Sequence, residues 1–163
     1  MFLENENLYG ENFEVSEKAL RDDFLVPIGK AKVMREGDHV TIVAYSRNVK
    51  FSLEAAEKLS REGISCEVIN LRSIRPLDRT TIVKSVMKTS RLVTVEDGFP
   101  MCGIGAEIIA TINETEAFHH LDAPIERVTA VDAPMPYAKL LEDAMVPHAD
   151  TIIKAVKKTL RGV

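Results

Sequence analysis

At 163 residues and 45% hydrophobic content, the chain is sized for one domain with a filled core. Its formal net charge of -4 and pI near 5.6 supply no basic field for a nucleic-acid backbone. No apolar run approaches the ~18 residues of a membrane span, and the amino terminus shows neither a secretory h-region nor an arginine-rich transit pattern, so the sequence predicts a soluble, untargeted domain.

Met1 to Arg21 carries the acidic, amide-rich string Glu4-Asn5-Glu6-Asn7 and no sustained period, yet Phe2, Leu3, Leu8, Tyr9, Phe13 and Val15 are too apolar for a free tail. This stretch reads as an arm that lies against something. Phe24 to Ile28 and Ala31 to Met34 read as short extended pieces confined to an edge or bend by Pro27 and Gly29, one of them the candidate antiparallel edge strand. Val40 to Tyr45, after the turn signal Glu36-Gly37-Asp38, is a mostly β-branched run suited to a strand buried on both faces. Val49, Leu53, Ala56 and Leu59 then mark an amphipathic helix that Gly63 ends, and Cys66 to Leu71 is a second, parallel strand.

Asp78 is placed to cap a following helix striped by Ile82, Val83, Val86 and Met87, and Leu92 to Val95 is the next strand. Glu96 to Gly105 forms another strand-to-helix loop, with the helix marked by Ile104, Ile108 and Ile112. Arg127 to Val131 is a further strand candidate, Ala138 to Glu142 a short turn of helix, and Asp150 to Arg161 a closing helix with its acid first and its cations last. The sum is a three-layer α/β/α domain around about five strands, mostly parallel, with one antiparallel edge strand.

Gly103-Ile104-Gly105 invites a phosphate-binding reading, but the third glycine and any Gly-Lys-Ser/Thr are missing, so a tight turn into a helix is the better explanation. Glu96 and Asp97 fall at the carboxyl end of a parallel strand, where open α/β sheets place ligands, without a partnered base or nucleophile in the sequence. His119 and His120, adjacent and so on opposite sides of an extended backbone, form no recognisable metal set. His39 and His148 sit in predicted loops and read as solvated. Arg72 and Arg75 suit an anionic group, a salt bridge or a subunit contact. Cys66 and Cys102 form no Cys-x-x-Cys pair, which points to free thiols in a reducing compartment.

Five stretches in order carry a resemblance: Phe2-Leu3-Glu4-Asn5-Glu6, Pro27-Ile28-Gly29-Lys30-Ala31, Glu67-Val68-Ile69-Asn70-Leu71-Arg72-Ser73-Ile74-Arg75-Pro76, Gly103-Ile104-Gly105-Ala106-Glu107-Ile108 and Pro134-Met135-Pro136-Tyr137-Ala138. Together they resemble the carboxyl-terminal, transketolase-type domain of pyruvate dehydrogenase beta subunits, over essentially the whole chain. Pro134-Met135-Pro136-Tyr137 is nearer to the pyruvate enzymes of mitochondria and their bacterial relatives than to branched-chain 2-oxoacid enzymes.

The resemblance implies that residues 1–20 are a linker or arm from a missing thiamine-binding domain and that residues 21–163 are the transketolase-type domain. The chain is then a fragment or a truncated form. The full alpha2beta2 enzyme, an oxidoreductase of a multienzyme complex, decarboxylates pyruvate with thiamine diphosphate and magnesium and acetylates lipoamide. In the family that cofactor lies between the alpha subunit and the amino-terminal domain of beta, so none is expected to bind this chain, and the isolated chain is expected to be inactive.

The implied partners are the alpha subunit, a second beta subunit and the peripheral subunit-binding domain of the dihydrolipoyl acetyltransferase core. Asp122, within Leu121-Asp122-Ala123-Pro124, and the terminal carboxylate at Val163 are the residues onto which docking of that domain's cationic groups carries over. The implied compartment is the mitochondrial matrix, or a bacterial cytoplasm. The alternatives are a branched-chain 2-oxoacid dehydrogenase beta subunit and a stand-alone, non-catalytic docking module.

Overall fold

The computed structural model describes residues 1–160. Five strands form one sheet: β1 (Lys32–Arg35), β2 (Val40–Ala44), β3 (Cys66–Asn70), β4 (Leu92–Val95) and β5 (Glu126–Val128), in the order β1-β3-β2-β4-β5. β1 runs antiparallel to β3 and the remaining pairs are parallel, as the sequence predicts. The chain steps from β2 to β3 on one side and then returns to lay β4 on the other. The direction of winding therefore reverses between β2 and β4, whose carboxyl ends, Ala44 and Val95, stand in register.

Alternation along the buried strands assigns the two helical layers. Ile42, Ala44, Val68, Val93 and Val95 face α1 (Asn48–Ser60), whose Ala55, Ala56 and Leu59 meet Ile152 and Val156 of the last helix. Val43, Ile69 and Leu92 face the opposite way, onto Ile82 and Val86 of α2 (Arg79–Thr89) and Ile108 and Ile112 of α3 (Ile104–Asn113). Each fully buried Ile or Leu of these two clusters contributes roughly 1.5–3 kcal/mol. After a short helix, α4 (Lys139–Met145), the closing helix α5 (Ala149–Leu160) completes the first layer.

Local chemistry sets the boundaries. Gly63, at φ +79, follows α1 in the left-handed conformation that costs glycine least. Asp78 caps α2 as predicted, accepting from the Thr81 N–H at 3.2 Å, and it also accepts from the Ala31 N–H at 3.0 Å, fastening the chain before β1 to the α2 entry. Burial opposes its charge, but these backbone donors and the Thr81 hydroxyl hold the carboxyl below the ordinary Asp range. Glu67, almost fully enclosed on β3, pairs with Lys88 of α2. Burial again opposes the charge, and the bonds from Lys88 and Ser85 overcome it, leaving Glu67 below the usual carboxylate range and Lys88 above its own.

Several expectations shift. Phe24 to Ile28 forms no strand; the antiparallel edge is Lys32–Arg35, because Gly29 and Ala31 are drawn down by Ser73 (2.9 Å) and Asp78. The last strand is shorter than predicted, ending at Val128, and α4 runs three residues further, to Met145. His119 and His120 lie in a 3-10 turn, Glu116–His120, and not on an extended backbone. His148 is not simply solvated: its Nε2 lies 2.6 Å from the Asp143 carbonyl oxygen and its ring meets Phe51 edge-on.

Candidate functional site

The glycine pair that resembles a phosphate loop already holds an anion. Glu96, 2% exposed at the end of β4, accepts the Ile104 N–H through Oε2 at 2.8 Å and the Gly105 N–H through Oε1 at 2.9 Å. A Cβ on Gly103 would stand 2.6 Å from Oε1, and one on Gly105 would stand 2.8 Å from the same atom. The glycines make room for an internal carboxylate that satisfies the α3 N-terminus, which leaves that terminus no open cradle for a diphosphate. Among the described residues, no group of three or more His, Cys, Asp or Glu gathers for a metal ion.

Beside Glu96, the end of β2 meets the end of β4 through a bidentate pair: Arg47 donates to Asp97 at 2.9 and 3.0 Å. Burial, then the Glu96 and Asp97 charges, push the nearby Tyr45 phenol up. These groups are matched to one another, and no nucleophile or free base stands among them. Arg72 is likewise occupied, donating to the Lys30 and Ala31 carbonyl oxygens at 3.0 and 3.2 Å. The thiols are free, Cys66 buried and pushed up to about 11 by that burial, Cys102 exposed.

Asp122 occupies the other end of the sheet. It follows the Glu116–His120 turn, and its N–H is held by the Ser90 carbonyl at 2.9 Å, just before β4. Its carboxylate is 57% exposed and forms an ion pair with Arg91, Nη2 to Oδ2, at 3.2 Å. Arg91 Nε also donates to the Thr159 carbonyl in the last turn of α5, at 3.2 Å. The structure thus brings Asp122 next to the end of α5, while Val163 lies outside the described residues. Glu126 adds a second carboxylate at the start of β5, paired with Lys158 at 2.8 Å. Sequence reasoning missed Arg91, which lies 31 positions before Asp122 and 68 before Thr159 and looks like any cation that opens a strand.

Two apolar surfaces remain uncovered. In the leading arm, pinned to α1 by Lys50 donating to Glu11 at 2.7 Å, Phe2, Leu3 and Phe13, and in the segment after it Leu25 and Ile28, are each at least 79% exposed. At the carboxyl edge, Met101 and Tyr137 on loops and Leu140 on α4 are at least 78% exposed, in segments tied together by the Ala130 N–H to the Gly98 carbonyl (3.1 Å) and the Val131 N–H to the Met145 carbonyl (2.9 Å). Exposure of large apolar side chains on this scale is characteristic of an interaction surface. No helix among the described residues is long and apolar enough to cross a membrane.

The family model for the transketolase C-terminal domain matches residues 29–152. The chain belongs to the transketolase C-terminal domain family. The match starts at Gly29, where the arm is fastened to the Ser73 loop, takes in every strand and α1 to α4, and ends at Ile152 in the first turn of α5. Among curated relatives, the chain is 59% identical over 160 residues to the pyruvate dehydrogenase E1 component subunit beta, mitochondrial, of Caenorhabditis elegans, covering 98% of this chain and 46% of the relative. It is 63% identical over 158 residues to the protein of the same name in Bos taurus, covering 97% and 44%. The chain therefore spans a little under half the length of these relatives. Among solved structures, a split gene transketolase described as an inactive beta4 tetramer superposes with a TM-score of 0.74 at 29% identity, covering 86% of this chain and 44% of that one. The transketolase-type domain accordingly accounts for both the sheet order and the sequence likeness.

Proposed function

We propose that this chain supplies the carboxyl-terminal domain of a pyruvate dehydrogenase beta subunit and serves assembly and docking rather than chemistry. The observation that carries the reading is identity of about 60% with such beta subunits, sustained over nearly the whole chain. In this reading the working enzyme joins two alpha and two beta subunits in the mitochondrial matrix. Thiamine diphosphate, held with magnesium by the alpha subunit and the amino-terminal part of beta, provides the carbanion chemistry that releases carbon dioxide from pyruvate and passes an acetyl group to lipoamide. The occupied Glu96 cradle supports assigning the cofactor to those other parts. Residues 1–20 are the linker from the thiamine-binding domain, and the two uncovered apolar surfaces suit burial against the alpha subunit and the second beta subunit.

Reconstitution tests the reading. The chain, combined with an alpha subunit and the amino-terminal domain of beta, is expected to restore pyruvate-dependent acetylation of lipoamide, with branched-chain 2-oxoacids turned over poorly. Preference for the branched substrates would assign the chain to the other class of 2-oxoacid dehydrogenase, and binding to the core without any turnover would leave a docking module.

Asp122 is the docking residue in this reading, with Val163 as the second acceptor, and the partner is the basic peripheral subunit-binding domain of the acetyltransferase core. Charge pairing of this kind acts mainly on encounter rate and specificity. In calorimetric titration, Asp122→Asn is expected to weaken binding roughly ten-fold, in line with ~1.5 kcal/mol for a charge-assisted contact. Added salt should weaken the wild type more than the variant. Equal affinities for wild type and variant would remove Asp122 from the site.

A further inference from the structure

We propose that Arg91 is the positioning residue of this docking site, fixing the Asp122 carboxylate and tying it to the carboxyl end of α5. The inference rests on the docking reading above and extends it to a residue that the resemblance does not supply.

The geometry is that of a clamp built from the first residue ahead of β4. The Arg91 carbonyl accepts from the Thr41 N–H at 2.9 Å and from the Thr89 hydroxyl at 3.1 Å, so the backbone beneath the side chain is anchored in the sheet. The side chain is only 25% exposed. Its Nη2 faces Asp122 Oδ2 and its Nε donates to Thr159 O, two nitrogens of one rigid plane holding two separate elements.

Both contacts suit the charge. The Thr159 oxygen lies in the last described turn of α5, toward the negative end of the helix dipole, where a cation is favoured. The Asp122 backbone is independently stapled to Ser90, the neighbour of Arg91. Arg91 therefore removes the rotational freedom of a half-exposed carboxylate and sets its distance from the end of α5. It occupies Oδ2 and leaves Oδ1 without a partner among the described residues. A cationic partner meets a carboxylate that is already oriented, though it approaches against one like charge.

The opposing effects on rate make the inference testable with the 163-residue chain and the isolated peripheral subunit-binding domain of an acetyltransferase core as the probe. Binding kinetics are followed on a sensor surface. Arg91→Lys keeps the charge but replaces the rigid two-nitrogen fork with a single nitrogen on a flexible stem, and should raise the dissociation rate about five-fold while leaving association unchanged. Arg91→Met removes the like charge, so association should quicken roughly two-fold while dissociation rises as in the lysine variant. In an Asp122→Asn background, neither substitution should alter dissociation.

A role confined to stability would lower the unfolding temperature and change binding equally in both backgrounds; that pattern would overturn the inference. If Asp122→Asn weakens docking and Arg91→Lys does not, the clamp is refuted and the docking site stands. If the wild type fails to bind the probe, or Asp122→Asn binds as well as wild type, the docking reading falls and the inference with it.

Discussion

Replacing Gly37 by alanine is expected to destabilise the domain by about 3 kcal/mol or more, enough to lower the urea midpoint sharply. Gly37 lies in the turn before β2 and is buried against the start of β3. A Cβ there would stand 2.2 Å from the Cys66 carbonyl carbon and 2.3 Å from the Glu67 nitrogen. These are backbone atoms in the parallel β2–β3 pair, where Val40 stands opposite Cys66, so no rotamer can absorb the clash. Relief requires moving the turn away from β3, which would also stretch the Gly37 N–H from the Glu67 carboxylate, already at 3.4 Å. Gly63→Ala offers the contrast: nothing lies within 4 Å of its added Cβ, so its cost comes from φ alone and should stay near 1 kcal/mol. Equal losses at the two positions would refute this account.

Loss of the internal anion should have the next largest effect. Glu96→Ala removes both acceptors from the α3 N-terminus in a site with little water, and about 3 kcal/mol of stability should go with them. Glu96→Gln is expected to recover only part of that, because an amide offers one oxygen to two N–H donors and turns its own NH2 toward the second. The decisive comparison is with Gly103→Ala. The three atoms nearest its Cβ would all belong to the carboxylate, at 2.6 to 2.8 Å for Oε1, Oε2 and Cδ, so its cost should largely vanish once Glu96 is alanine. Chemical denaturation of the four chains of that cycle measures the coupling, and strict additivity would show that Gly103 is required for another reason.

Much of the architecture was legible because it depends on patterns of short range. β-branched runs such as Val40 to Tyr45 announced strands buried on both faces, the threefold and fourfold spacing of Val49 to Leu59 announced α1, and Asp78 announced the start of α2. What the residues could not reveal was pairing at a distance. Nothing local distinguishes a Glu that ends a strand as a ligand from one that caps the next helix, so Glu96 read as a possible site and proved to be an internal partner of Gly103-Ile104-Gly105. The same limit hid Arg91, whose two contacts come from separate segments. Asp122 was singled out by resemblance alone. A carboxylate in a Leu-Asp-Ala-Pro turn has no chemical signature of its own, and its bond to Ser90 and pairing with Arg91 emerge only when the fold joins them.

The layer that α5 completes also bears on the order of events during synthesis. Strands β2 to β5 and helix α1 all precede Ala149, and the contacts that seal their shared face are made by Ile152 and Val156, both wholly enclosed. As the polypeptide lengthens from its amino terminus, the α2 and α3 side of the sheet can close over its own neighbours early. The opposite side keeps Val40, Ile42, Val68 and Val93 beside a bare groove until the last helix arrives. The nascent domain is therefore one-sided for most of its growth, and the step that makes it watertight is the docking of a strongly amphipathic helix onto a surface already in place.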